Sequence, residues 1–227
     1  MDNTYLPASV LPIRTDGAIY HLNLLPGDIA ETVILVGDPE RVSLVSHFFD
    51  SIEVKKSNRE FVTHTGYFKG KRMSVISTGI GTANIDIVLN ELDALHNVDF
   101  ATRQIKSELT QMHCIRIGTC GALQPETRPG SVIGSRYAIG FDNQMAFYPR
   151  QLCEEEKDLE RTVTEILNPR LLSSCYVTSA SHWFEQWGDF VEMGITFTCP
   201  GFYAAQNRPL RVPILTESVF NCAQQWV

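Results

Sequence analysis

The chain alternates short apolar runs with longer stretches in which apolar residues recur at helical spacing. Val33-Ile-Leu-Val36 runs into Gly37, Met73-Ser-Val-Ile-Ser77 stops just before Gly79, and Cys114-Ile-Arg-Ile117 runs into Gly118. A short apolar run that ends at a glycine predicts a strand feeding a turn. After the second run, Ile85, Val88, Leu89, Leu92 and Leu95 stand at i, i+3, i+4, i+7 and i+10, which predicts one apolar stripe along a helix. Further strands are expected over residues 131–139, 174–179 and 194–199, and a helix over residues 154–167, stopped by Asn168-Pro169. The polar stretch 99–111 reads as a loop or short helix without chemistry. Strand, glycine turn and helix in alternation predict an α/β fold of three layers, a mixed central β-sheet flanked by helices, with sites at the carboxyl ends of strands.

Composition narrows this picture. With 227 residues, 44% of them hydrophobic, the chain can bury a full core, and one domain over residues 1–227 is expected. A formal charge of -7 leaves no basic excess to replace counterions along a strand, so nucleic acid is not an expected partner and any anion must be gripped locally. No apolar run approaches the roughly 18 residues of a membrane span, and Met1-Asp-Asn-Thr4 lacks the basic-then-apolar layout of a secretory signal. A cytoplasmic protein with no membrane partner is expected. The six cysteines contain no C-x-x-C pair and several fall in strand-like runs, which points to reduced thiols and neither zinc nor a disulfide framework.

Two places suggest a grip on an anion. Gly37-Asp-Pro-Glu-Arg41 follows a predicted strand and precedes a helix expected near Arg41-Val42. A glycine there lets backbone N–H groups face an anion, the proline stiffens the turn, and Arg41 adds a fork of donors. The same run is also ordinary turn chemistry. Arg116 interrupts the apolar run Cys114-Ile-Arg-Ile117, and alternation puts it on the face opposite Ile115 and Ile117. On a half-exposed strand such an arginine simply faces water; in a sheet covered on both sides it needs a partner such as an anion. Thr119 and Gly121 follow with a hydroxyl and an approachable backbone.

Gly37-Asp-Pro-Glu-Arg41, Ser57-Asn-Arg-Glu-Phe61, Ser77-Thr-Gly-Ile-Gly81 and Ile115-Arg-Ile-Gly-Thr-Cys-Gly-Ala-Leu-Gln124 occur in the order, and at about the spacing, of uridine phosphorylases. Over about residues 15–212 the chain resembles that family of the nucleoside phosphorylase superfamily. The resemblance implies that Gly37, Arg41, Arg116 and Thr119 hold phosphate, with Arg59 reaching in from a neighbouring subunit. It also implies that His21, in Tyr20-His-Leu-Asn-Leu24, crosses a dimer interface to the ribose 5′-hydroxyl; taken alone, His21 reads as a capped or surface residue. Asn84 and Asp86 depart from the family pattern, so fine specificity is not carried over.

Phe202-Tyr-Ala-Ala-Gln-Asn-Arg208 follows a strand-like run. The edge of uracil offers acceptor, donor and acceptor; a glutamine amide can answer both kinds, and an arginine adds donors. Gln206 and Arg208, two apart, can face the same way in an extended loop. The run also reads as a polar loop with one exposed aromatic. The resemblance makes Gln206 and Arg208 readers of the pyrimidine edge and lays Phe202 on the base, with Gly121 beside it. Arg116, Gln206 and Arg208 are then the candidate catalytic groups. Inorganic phosphate is the co-substrate, and no cofactor or metal is implied. The implied assembly is a homodimer completed by His21 and Arg59, repeated in a hexamer.

The family's Glu-Met-Glu segment, which binds the ribose hydroxyls, would fall beyond Val227. The Glu192-Met193 pair precedes the base-reading run and reads as a coincidence. The apolar finish Trp226-Val227 favours a truncated chain over one that has lost its catalysis. Two rival readings stay open: a nucleosidase of the same superfamily that uses water, and a catalytically silent subunit that binds nucleoside or phosphate.

Overall fold

The computed structural model describes residues 5–166, 175–180 and 191–214, and it divides into two compact units, Met1–Thr119 and Cys120–Val227. The expected helix stop at Asn168-Pro169, Ser174 and the tail beyond residue 214 lie outside the described residues. Both units are α/β, with mixed parallel and antiparallel strands flanked by helices.

The first unit is built on strands β1 (Thr32–Val36), β2 (Ser51–Asn58), β3 (Phe61–Phe68), β4 (Lys71–Ser77) and β7 (His113–Ile117). They form one sheet in the order β2-β3-β4-β1-β7. β1 pairs in parallel with β4 and with β7, while β2, β3 and β4 are joined antiparallel. The three runs that predicted strands are therefore neighbours. Helix α1 (Glu40–Ser46) follows β1, and α2 (Thr82–Asn97) follows β4. Leu22, Leu24, Val33, Phe61, Ile76, Val88, Leu92 and Leu95, all buried, share one core, whose apolar burial is the main force holding the unit together.

The α2 stripe differs from its prediction at two positions. Val88, Leu92 and Leu95 are buried, but Leu89 is 38% exposed, and Glu91 lies in the buried face with 7% exposure. A carboxylate tolerates that place only if its oxygens are satisfied, and the backbone N–H groups of His21 and Leu22 supply the bonds. At the start of the stretch 99–111, read as a loop or short helix, β5 (Val98–Asp99) and β6 (Gln104–Ile105) instead form a minimal antiparallel pair.

The second unit carries β8 (Ile133–Gly140), α3 (Glu154–Ile166), β9 (Tyr176–Ser179) and β10 (Glu192–Thr198). Its sheet has the order β10-β8-β9, with β10 parallel and β9 antiparallel to β8. Ile139, Phe141, Val163, Cys175 and Val177 form its core, and Phe141 stacks on Phe197 at 5.6 Å. Burial pushes the Cys199 thiol up to about 11, so it behaves as an inert apolar group. Among the described residues no helix is long and apolar enough to cross a membrane.

Candidate active site

Sheet register decides where the first unit can bind a ligand. Val36 at the end of β1 is paired with Ser77 at the end of β4 and with Ile117 at the end of β7. Because the three strands are parallel, the chain leaves all of them at one edge, where ligands of α/β sheets bind. Thr78 fastens two of the exits together, its backbone N–H donating to the Val36 carbonyl at 2.8 Å. Gly79 then turns with φ 67, a backbone angle that suits glycine.

Between these exits lies a cavity of about 630 Å³ lined by Gly37, Asp38, Pro39, Arg41, Glu60, Gly79, Ile80, Asn84, Arg116, Gly118 and Thr119. All four residues expected to hold phosphate from within one subunit, Gly37, Arg41, Arg116 and Thr119, are thus brought together. A Cβ on Gly37 would stand 3.7 Å from Arg116 Nη2, so the guanidinium lies close over that turn. Asp38 Oδ1 accepts the Glu40 N–H at 2.9 Å and shapes the turn that presents Arg41. Among the described residues the side chains of Arg41 and Arg116 have no ion-pair or hydrogen-bond partner, although the Arg41 backbone N–H donates to the Asp38 carbonyl at 3.1 Å. Two guanidinium groups without a protein partner beside approachable backbone suit an anion by elementary electrostatics.

Burial, the ground on which sequence reasoning weighed Arg116, is not what distinguishes it. Among the described residues β7 lies at the edge of its sheet, and Arg116 and Ile117 on it are exposed. The loops that surround its guanidinium give Arg116 its setting. Sequence reasoning also passed over Glu60 and Asn84 as lining residues. Asn84 Nδ2 donates to Glu60 Oε1 at 3.0 Å, so the departure from the family pattern at Asn84 ties two walls of the cavity. Glu60 was visible as part of the Ser57–Phe61 motif, but its direction depends on the hairpin turn between β2 and β3.

Arg59 and His21 stand apart from this cavity. Arg59 occupies the tip of the β2–β3 hairpin with φ 56, exposed, its guanidinium 5.8 Å from the Tyr20 ring centre. Tyr20 also meets the His21 imidazole edge-on at 4.9 Å. The two residues expected to serve a neighbouring subunit are therefore bracketed by one aromatic ring.

In the second unit, Gly121 and Phe202 both come close to Arg208, and Gln206 stands in the same loop. The Arg208 guanidinium lies 4.2 Å from the centre of the Phe202 ring, and a Cβ on Gly121 would stand 3.5 Å from Arg208 Nη2. The loop is not extended as expected. Residues Ala204–Gln206 form a 3₁₀ turn, Asn207 is left-handed with φ 51, and the Arg208 N–H donates to the Tyr203 carbonyl at 2.9 Å. Asparagine tolerates that conformation better than most residues, which lets the chain double back. Gln206 Nε2 donates to the Gly201 carbonyl at 3.2 Å, leaving its amide oxygen as an acceptor. Among the described residues no three His, Cys, Asp or Glu side chains gather as metal ligands would.

The chain is similar to proteins already known. The family model of the phosphorylase superfamily matches residues 31–219. A uridine phosphorylase of Thermococcus kodakarensis is 33% identical over 198 residues, covering 87% of this chain and 61% of that protein. A purine nucleoside phosphorylase of the DeoD type from Caldanaerobacter subterraneus is 37% identical over 114 residues, half of this chain and 44% of that one. Among solved structures, a Trypanosoma brucei nucleoside phosphorylase described as showing uridine phosphorylase activity superposes with a TM-score of 0.76 at 31% identity, over 88% of this chain and 72% of its own. The chain thus spans about three fifths of the Thermococcus protein and under half of the Caldanaerobacter one.

Proposed function

The chain belongs to the phosphorylase superfamily, and we propose that it catalyses phosphorolysis of a pyrimidine ribonucleoside, converting uridine and phosphate to uracil and ribose 1-phosphate. The observation that carries this reading is the convergence of Gly37, Arg41, Arg116 and Thr119 on one cavity in which neither guanidinium has a protein partner among the described residues. In phosphorolysis a phosphate oxygen bonds to the anomeric carbon as the bond from that carbon to the base nitrogen breaks, and the bonding pair leaves with the base. Positive charge grows on the sugar and negative charge on the base, as in glycoside hydrolysis with phosphate in place of an enzyme carboxylate. Arg41 and Arg116 would hold the phosphate dianion in place for attack, and Thr119 would add a hydroxyl donor.

Gln206 and Arg208 would take up the charge on the departing base, with Phe202 and Gly121 beside it. Arg59 and His21 would act on the site of a partner subunit, so the smallest active unit would be a homodimer. No cofactor or metal enters this scheme, in which inorganic phosphate is a substrate. The likeness to a purine nucleoside phosphorylase over half of the chain supports a second reading, in which the base is a purine.

One assay separates the readings: uridine and inosine, each with and without phosphate, followed by release of free base. Uracil release that requires phosphate is the expected outcome. Release of hypoxanthine alone would move the assignment to purines, and release that ignores phosphate would move it to hydrolysis.

A further inference from the structure

The surroundings of His21 are more specific than an exposed side chain requires. Its Nδ1 lies 2.5 Å from Glu91 Oε1. The same carboxylate accepts the backbone N–H of Leu22 on Oε2 at 2.9 Å and that of His21 on both oxygens, at 3.1 and 3.2 Å. Glu91 projects from α2 and is 7% exposed, while the His21 side chain keeps 27% of its surface in solvent. On its other side the segment is held by Asn58, whose Nδ2 donates to the His21 carbonyl at 2.7 Å. Main chain and ring are therefore anchored together.

This geometry has a consequence for the proton. An ionised carboxylate only accepts hydrogen bonds, so the ring nitrogen that faces Glu91 must carry a hydrogen. In the neutral ring the other nitrogen is then a lone-pair acceptor, and which nitrogen is protonated is set by the partner of its opposite number. Glu91 cannot serve as an exchangeable partner, because three bonds to the backbone N–H groups of His21 and Leu22 hold it in place whether or not the ring is present.

We infer that Glu91 is a positioning residue: its buried carboxylate fixes His21 in the Nδ1–H form and leaves Nε2 as an acceptor for the 5′-hydroxyl of a nucleoside. The identity of that hydroxyl rests on the function proposed above; the tautomer does not. The alternative is that Glu91 only clamps the main chain of residues 20–22 and has no hold on the chemistry of the ring. Substitution would then cost stability alone.

The tautomer is read directly from ¹⁵N shifts of the imidazole in the full chain at neutral pH. The wild type is expected to show His21 with Nδ1 protonated and Nε2 bare. Glu91→Gln keeps the size of the side chain but sets an NH₂ group among backbone donors, and it should move His21 toward the Nε2–H form. An Nε2–H ring in the wild type, or an unchanged tautomer in E91Q, overturns the inference; the first result needs no variant to fold. The functional arm compares kcat/KM for uridine with that for 5′-deoxyuridine. His21→Ala should lower this ratio about tenfold, the effect of one lost hydrogen bond, and E91Q should lower it equally with no further loss in the double variant. Equal losses on both nucleosides, with the ratio kept, would mark Glu91 as structural and overturn the inference. A wild type without phosphorolysis would count against the proposed function, and the tautomer would still decide the role of Glu91.

Discussion

Arg116 and Arg41 reach the cavity from different elements, one from β7 and one from the first turn of α1, so each can be removed without touching a core side chain. Arg116→Ala should lower kcat/KM for phosphate about 100-fold, as expected for one preorganised donor, with the far-ultraviolet circular dichroism unchanged. An unchanged phosphate dependence would remove Arg116 from the site. Gly79 shows the opposite sensitivity. Its φ is 67, and a Cβ would stand 2.6 Å from Asn84 Nδ2 and 2.8 Å from Glu60 Cγ. Gly79→Ala should therefore part the Asn84–Glu60 contact and cost about 1–3 kcal/mol, read from the urea midpoint. Gly66 is tighter still, because a Cβ would collide with the Ser51 carbonyl oxygen and lie 2.9 Å from Ile52 Cα, where β2 is bulged against β3. Backbone cannot swing aside as a side chain can, so Gly66→Ala should be the more damaging of the two.

Helices α2 and α3 each depend on a glutamate in a buried place, and the two differ in how they were legible. Glu156 stands in the first turn of α3 and accepts the Cys153 N–H at 3.0 Å, the reciprocal half of a capping box. It also accepts the Ser179 N–H and hydroxyl, both at 2.7 Å, which ties α3 to β9. Led by the Ser179 hydroxyl, these bonds favour the charged form and hold the Glu156 carboxyl down from 4.5 to about 2. A depressed carboxylate stabilises the fold above its unfolded value, and that stability drains away as pH falls from 4.5 toward 2. Thermal melts of Glu156→Gln should accordingly show a lower midpoint than wild type at neutral pH and a shallower decline across the acid range; parallel curves would contradict this. In α2, periodicity alone put Leu89 on the core face and passed over Glu91, because hydropathy cannot register that two backbone N–H groups wait opposite a carboxylate.

At the scale of the assembly, the shared-site reading predicts complementation. Arg59→Ala should abolish phosphate use without unfolding the subunit, and so should the loss of both Arg41 and Arg116. Mixed after refolding, the two inactive proteins should regain about a quarter of wild-type activity, because half of the random dimers carry one intact site of two. No recovery would mean that Arg59 does not serve a partner. The sequence by itself determined the local elements: β1, β4, β7 and α2 lie where apolar runs, glycines and helical spacing put them, and the resemblance of four motifs to a known family named Gly37, Arg41, Arg116 and Thr119. The hairpin of β2 and β3 was not legible. Thr63 and Thr65 turn inward on β3, and Thr65 bonds Ser74 across the sheet at 2.6 Å, so the buried face carries no hydrophobic alternation. Tertiary structure alone decided that Val36, Ser77 and Ile117 end side by side, that Glu60 and Asn84 join the cavity, and that Glu91 is held under His21. Periodicity is a property of neighbours along the chain, whereas convergence depends on which distant strands pair and in what register.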